Sequence, residues 1–541
     1  MDDGKNPTQI KAIKLSKYTH ALLGSLNSIK PKTRPDDLSK ISVSQTVSFF
    51  ALAYEKVRNA VEYREDHQIR RAAIERIMRR LLTLNPTGKD VADGLIRELL
   101  WARYFDADSL GSQDIDSIQK IIDKYIFLLQ LLIVGRTGSQ REFLYRFLID
   151  LLTCEIEENL NPSGSQKNAN YTFFIYQVLR NKIKLEGVSE NQKNAFFLAA
   201  LERTFRRSDR SYQRYHLFIT FYQPISSFST EELKDFSNKL PIIFDKIDLM
   251  VKNPFVDHLS RFIKKQLPAF LILFSIIKDK YAHIEKIISN KKELWSEVEL
   301  TCRQKYQGIK AKMTGLAIRS FIYIFFTKML FALILEFPLS KYFYREVNYE
   351  SIVINTLFPP ALMLFIIAFF TMPGADNTTK IFQRIVEIID ADRSFETSIA
   401  FVRKKPRERK PILIFGFTIF YSLTFIITLF LIFEILNLLN FNLISQAIFL
   451  FFISVVTFFS YRIKQIVNEY YLSEKESILS PLFDFFFMPI LSLGKFFSQE
   501  IAKLNFFIFI FDFLIEAPFK FIFEIVEEWI SFVKKRKEEI I

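Results

Sequence analysis

Cysteine is scarce in this 541-residue chain: Cys154 and Cys302 are the only two, and their separation excludes a metal-binding or redox dithiol and points to a reduced setting. Glycine is also sparse, at 14 residues, and no phosphate loop can be built from it. Gly135–Arg136–Thr137–Gly138–Ser139 lacks the required spacing and lysine, so it reads as a turn before a helix. The five histidines (His20, His67, His216, His258, His283) lack ligand spacing, so no metal and no other cofactor is expected. No nucleophilic triad or acid–base pair can be nominated, and the chain is read as non-enzymatic. An enzyme acting on lipid is a distant third reading. The opening Met1–Asp2–Asp3–Gly4 has no apolar core, so no ordinary secretory signal is expected and the front region should stay in the cytosol.

What the chain does have is four uninterrupted apolar stretches, at about Leu316–Phe337, Ser351–Met372, Pro411–Glu434 and Leu443–Ser460. Each is near the roughly twenty residues a helix needs to cross about 30 Å of hydrocarbon. Convincing strand alternation is missing. The expected fold is therefore all-α: a cytosolic helical N-terminal domain, with a solenoid-like stack as one form, then a four-span transmembrane bundle and amphipathic C-terminal helices. The expected divisions are a mobile segment at 1–40, a cytosolic all-helical domain at 41–312, the transmembrane region at 313–460 and interfacial helices at 461–541.

In the front region the period is helical. Ala73, Ile74, Ile77, Met78, Leu81 and Leu82 recur at three- and four-residue steps, with Arg70, Arg76, Arg79 and Arg80 around the rest of the circumference. Glu98–Tyr104, Ile118–Val134, Glu142–Ile156 and Ala195–Phe205 read the same way. Turns or helix stops fall at Asn85–Gly88, Gly135–Gly138, Asn161–Gly164, Pro224 and Pro241. Beyond Pro268 the sequence predicts long helices entering the bilayer, with Gly308 and Gly315 as the expected joints.

Net charge is +14, which allows either nucleic acid or an anionic membrane as partner. The densest basic clusters, Arg403, Lys404, Lys405, Arg407, Arg409 and Lys410, and then Lys534, Lys535, Arg536 and Lys537, sit beside apolar segments and favour anionic lipid. The Arg-rich stretches Arg70–Arg80 and Arg203–Arg214 read as solvated helix faces, so nucleic acid is disfavoured. An unidentified protein partner for the cytosolic domain is expected, and a homo-oligomer is compatible with this composition. The loop Pro373–Lys410 is rich in Lys and Arg, whereas Ile435–Asn442 has none, which orients both termini inside. The Asn377–Thr378–Thr379 sequon then lies on the cytosolic side. In the tail, Lys520, Glu524, Glu527, Glu528, Ser531 and Lys535 share a helical stripe opposite Phe519, Ile522, Phe523, Val526, Ile530 and Val533, as in a helix lying at the interface.

Two features inside the spans stand out. Lys328 lies near the middle of the first, where a charge costs at least about 3 kcal/mol and needs a partner or water. Glu336, Asp484 and Asp512 are the candidate acids, and a structural pair is favoured over a role in transport. Pro359–Pro360 removes two backbone donors at the centre of the second span, so a kink or unwinding is expected. A solute pathway through Lys328 and the prolines is the alternative to a scaffold.

Three stretches, SFIYIFFTKMLFALILEFP at Ser320–Pro338, NTLFPPALM at Asn355–Met363 and FDFLIEAPFKFIFEIVEEW at Phe511–Trp529, resemble uncharacterised polytopic membrane proteins of small-genome, candidate-phylum bacteria. That resemblance implies a multi-pass protein of a bacterial inner membrane and assigns no activity or functional residue.

Overall fold

The computed structural model describes residues 13–29, 40–41, 48–49, 51–52, 55, 65–106, 109–345, 348–368, 370, 372–390, 401–403, 411–472, 488–497, 525–526, 528–529, 532–533 and 536. Among them the chain is almost entirely helical and forms two compact units. One comprises Leu15–Lys264, Ala391–Arg403 and Phe511–Ile541; the other comprises Met1–Lys14, Lys265–Asp390 and Lys404–Ile510.

The first unit contains α1 (Lys17–Asn27), α2 (Asp66–Leu84), α3 (Val91–Trp101), α4 (Ser112–Ile133), α5 (Gly138–Leu160), α6 (Pro162–Leu179), α7 (Glu190–Thr204), α8 (Arg210–Phe221), α9 (Thr230–Ser237) and α10 (Leu240–Val251). A three-residue strand β1 (Ile183–Leu185) pairs in parallel with β2 (Phe401–Arg403). Capping chemistry sets several starts. Ser189 and Gln192 form a capping box at α7, Ser229 and Glu232 form another at α9, and the Asp209 carboxylate accepts from the Tyr212 N–H at α8. Between α2 and α3, Gly88 turns the chain at φ +71°, a conformation an L side chain rarely adopts.

Helix α5 lies at the centre, packed by α2, α4 and α8. Its Phe147 ring stacks on Phe244 of α10 at 4.0 Å. The Arg-rich stretches correct the sequence reading: Arg71, Arg206 and Arg214 are buried or nearly so, as are Tyr212 and Tyr215, and the guanidinium groups meet carboxylates from α2, α5, α7 and α10. They are not solvated faces, although Arg207 and Arg210 remain exposed. A charge inside a helical core is tolerated only when it is paired and hydrogen-bonded, which is what these acids provide.

The second unit holds α11 (Pro254–Asp279) from Lys265 onward, α12 (Ile284–Ser289), α13 (Lys291–Phe331), a π turn (Ala332–Glu336), α14 (Phe337–Tyr344), α15 (Tyr349–Ala368), α16 (Ala375–Ile389), α17 (Pro411–Leu438), α18 (Leu443–Val467) and α19 (Met488–Phe497). Asn290 caps α13 by accepting from the N–H groups of Lys292 and Glu293. At about 1.5 Å per residue α13 is roughly 60 Å long. It runs unbroken through Gly308 and Gly315, so the expected joints are absent: a lone glycine weakens a helix without ending it when its neighbours keep the hydrogen-bond ladder.

Among the described residues four helical stretches are long and apolar enough to cross a membrane, Lys291–Tyr344, Tyr349–Ala368, Phe415–Leu438 and Leu443–Tyr470. The first, second and fourth pack on one another through Ala317, Ile324, Met363, Ile367, Phe452, Val456 and Ile463. The third is the least buried, and its Leu436 meets Phe441 and Phe449 at one end. Large apolar side chains such as Phe326, Leu333, Phe365, Phe420 and Phe430 face outward, a surface suited to lipid and not to water.

Candidate functional site

Lys328 and Glu336 are both fully buried in the span bundle, with the Lys328 Nζ 3.3 Å from the Glu336 Oε2. Eight residues of regular α-helix would leave them about 80° apart around the axis. The π turn at Ala332–Glu336 inserts the equivalent of one residue and brings the acid to within about 20° of the lysine. Of the three candidate acids, Glu336 is thus the partner, while Asp484 and Asp512 lie outside the described residues.

Asn355 of α15 completes the site. Its side-chain amide donates to the Glu336 Oε1 at 2.7 Å and to the Ser445 carbonyl at 3.1 Å, tying α15 to the first and fourth spans. The Lys328 ammonium also lies 4.9 Å from the centroid of the Phe452 ring, close enough for a cation–π contact. Asn355 Oδ1 is buried without a hydrogen-bond partner among the described residues.

Pro359 and Pro360 are buried one turn further along α15, which stays helical through them and does not unwind. They cannot donate to the carbonyls of Asn355 and Thr356, so the ladder loses its bonds at the turn that carries the site. The structure therefore brings Lys328 and the proline pair to adjacent turns of one interface. Asn355 was the signal overlooked in the sequence: a polar residue four positions before a proline inside an apolar span.

At the end of the bundle opposite α14, Asn377 of α16 donates to the Tyr306 hydroxyl and the Tyr470 carbonyl, each at 2.8 Å, and accepts from the Leu472 N–H at 2.8 Å. This buried residue clamps α13, α16 and the end of α18, which leaves the sequon asparagine no free amide for glycan attachment.

The basic clusters are mostly beyond reach. Arg403 ends β2, and Lys404, Lys405, Arg407, Arg409, Lys410, Lys534, Lys535 and Lys537 lie outside the described residues, as does most of the amphipathic tail stripe. Arg536 is exposed, with its guanidinium 5.8 Å from the Phe532 ring centroid.

In the other unit, His216 Nδ1 lies 2.8 Å from Glu202 and Nε2 lies 2.9 Å from Glu158. Burial and the adjacent Arg206 oppose a charge on the ring, but the two carboxylates outweigh them and raise its pKa. Burial likewise works against charge on Glu158 and Glu202, yet His216 and Arg206 hold both at about 2. The neighbouring His67 is pushed down to about 4, mainly by burial and then by Arg206 and Arg70. Glu157 accepts from Arg70 at 2.6 Å and from the Tyr212 hydroxyl at 2.7 Å. Glu158, Glu202 and Glu157 are each paired within this network, while His67 Nε2 and Arg206 Nε are buried without a hydrogen-bond partner among the described residues, and none of this tertiary pairing is visible in the sequence.

These features define a class: a polytopic α-helical membrane protein carrying a helical unit with an ion-paired core. Comparison with protein-family models, with curated proteins and with solved structures gives no match to this chain.

Proposed function

We propose that this protein is a non-enzymatic anchor or scaffold of a bacterial inner membrane, in which the helical unit captures a protein partner in the cytosol and the four spans tether it. The observation that supports this reading is the mutual compensation of Lys328 and Glu336, sealed by Asn355. A permeation site needs a group that can release one partner for another, whereas here each charge is held by its own chain inside a packed interface. The surplus of Lys and Arg in Pro373–Lys410, against none in Ile435–Asn442, favours both termini on the cytoplasmic side.

The unpaired Asn355 Oδ1 and the π turn favour a second reading, a pathway for a small solute or proton. Reconstitution separates the two. Proteoliposomes of the full chain should show no proton, sodium or potassium flux above empty vesicles, and crosslinking in native membranes should recover one protein in constant ratio with the chain. Flux that vanishes in Lys328→Ala would overturn the anchor. For sidedness, Tyr342→Cys should react with an impermeant maleimide from outside and Thr379→Cys only after lysis, since both positions are exposed and the native cysteines are buried.

A further inference from the structure

Gly308 and Gly315 sit inside the unbroken α13, and among the described residues a β-carbon added at either would meet nothing within 4 Å. Glycine weakens a helix interior relative to alanine, and close packing against the described residues, the usual compensation, is missing here. Both glycines border a row of cations. Lys305, Lys312 and Arg319 recur every seven residues, which keeps them on one face with about 20° of drift per step. Gly308 and Gly315 run about 50° to one side of that row, as open notches between successive cations.

Lys312 and Arg319 are exposed, and none of the three cations forms an ion pair with a described residue. The helix itself contains no Asp or Glu between Glu299 and Glu336. Depth fixes what this face meets. With Lys328 near the middle of its span, Arg319 lies about 14 Å from the bilayer centre, Gly315 about 20 Å and Lys312 about 24 Å. Hydrocarbon ends near 15 Å from the centre and headgroups near 20–22 Å, so the notch at Gly315 is at phosphate depth, with a cation a turn to either side.

We infer that the Lys312–Gly315–Arg319 face of α13 binds the headgroup of an anionic phospholipid, the missing β-carbon letting the phosphate approach the helix between two cations. A second copy seated on this face would set like charges against one another, which disfavours self-association there. The inference rests on α13 crossing the membrane, and its test keeps the two apart.

The full-length protein, solubilised in mild detergent with equal phosphatidylglycerol and phosphatidylcholine, is examined by native mass spectrometry for retained lipid. Each cation near an anionic surface is worth about a fivefold preference, so the phosphatidylglycerol excess of the wild type should fall about twenty-five-fold in Lys312→Gln/Arg319→Gln. Gly315→Leu, which keeps both charges and favours the helix, should also lower it. An unchanged excess in either variant, no excess in the wild type, or disulfide linking of two copies through Gly315→Cys would overturn the inference. Resistance of the wild type to alkaline carbonate extraction reports separately on membrane insertion: a protein that stays in the membrane without lipid preference defeats this inference alone, and one that is extracted defeats both.

Discussion

His216 of α8 and Glu202 of α7 meet at 2.8 Å inside the helical unit, and Glu158 of α5 holds the other ring nitrogen at 2.9 Å. Because the imidazole pKa is raised above its ordinary 6.5, the stability it contributes is fully present below that value and is lost as pH rises through its folded pKa. Glu158 and Glu202, held at about 2, contribute above their ordinary 4.5 and lose that contribution as pH falls toward 2. His67 is depressed to about 4 and stays neutral, so its contribution declines as pH falls from 6.5 to 4. Urea unfolding followed across pH should show stability falling on both sides of its maximum. His216→Gln should cost about 3–5 kcal/mol below pH 6.5, because it strands two buried carboxylates on Arg206, and should remove the alkaline fall.

Gly494 of α19 packs so tightly on α18 that a β-carbon there would overlap the Ser454 carbonyl oxygen and crowd Phe458. Small residues at such crossings let membrane helices approach closely. Gly494→Leu should separate the two helices and cost about 1–3 kcal/mol, read as a lower melting temperature in detergent. Gly416→Leu, at a glycine with open space around it, serves as the matched control and should change little.

Asn377 joins three elements through one amide, so Asn377→Ala leaves the Tyr470 carbonyl and the Leu472 N–H without it. Stranding the N–H of the buried Leu472 in this way costs about 1–3 kcal/mol. The buried Cys302 lies one turn before Tyr306 on α13, and its thiol should become reactive to maleimide in the variant while remaining protected in the wild type. Equal labelling rates would show that the clamp does not hold this end of the bundle together.

Much of this architecture was legible because helices and spans are local. The 3.6-residue apolar period marked α2, α4 and α5, and each of the four apolar runs overlaps one span helix, although the first and fourth helices extend well past their runs, to Lys291 and Tyr470. The ion-paired core was not legible, because the Arg71 guanidinium and its partners on other helices are brought together only by tertiary packing. Helix α5 hid its role for a related reason: it is buried on nearly every side, so Asp150, Glu155, Glu157 and Glu158 break its apolar pattern without marking a wet face. For Lys328 the sequence narrowed the partner to three acids but could not choose, since eight residues of ideal helix misalign Glu336. Pro338, which cannot donate to the Ile334 carbonyl, was the one local hint that the helix changes pitch there.

Whether the buried Lys328–Glu336 pair is structural is measured directly by a double-mutant cycle in detergent. Lys328→Met alone should cost about 3–5 kcal/mol by stranding Glu336, and Glu336→Leu alone should cost a similar amount. The double variant Lys328→Met/Glu336→Leu should recover most of the melting temperature, while partner capture stays intact and ion flux stays absent. A double variant that remains as unstable as either single one, or that folds normally yet abolishes a measurable flux, would show that the pair is not merely structural.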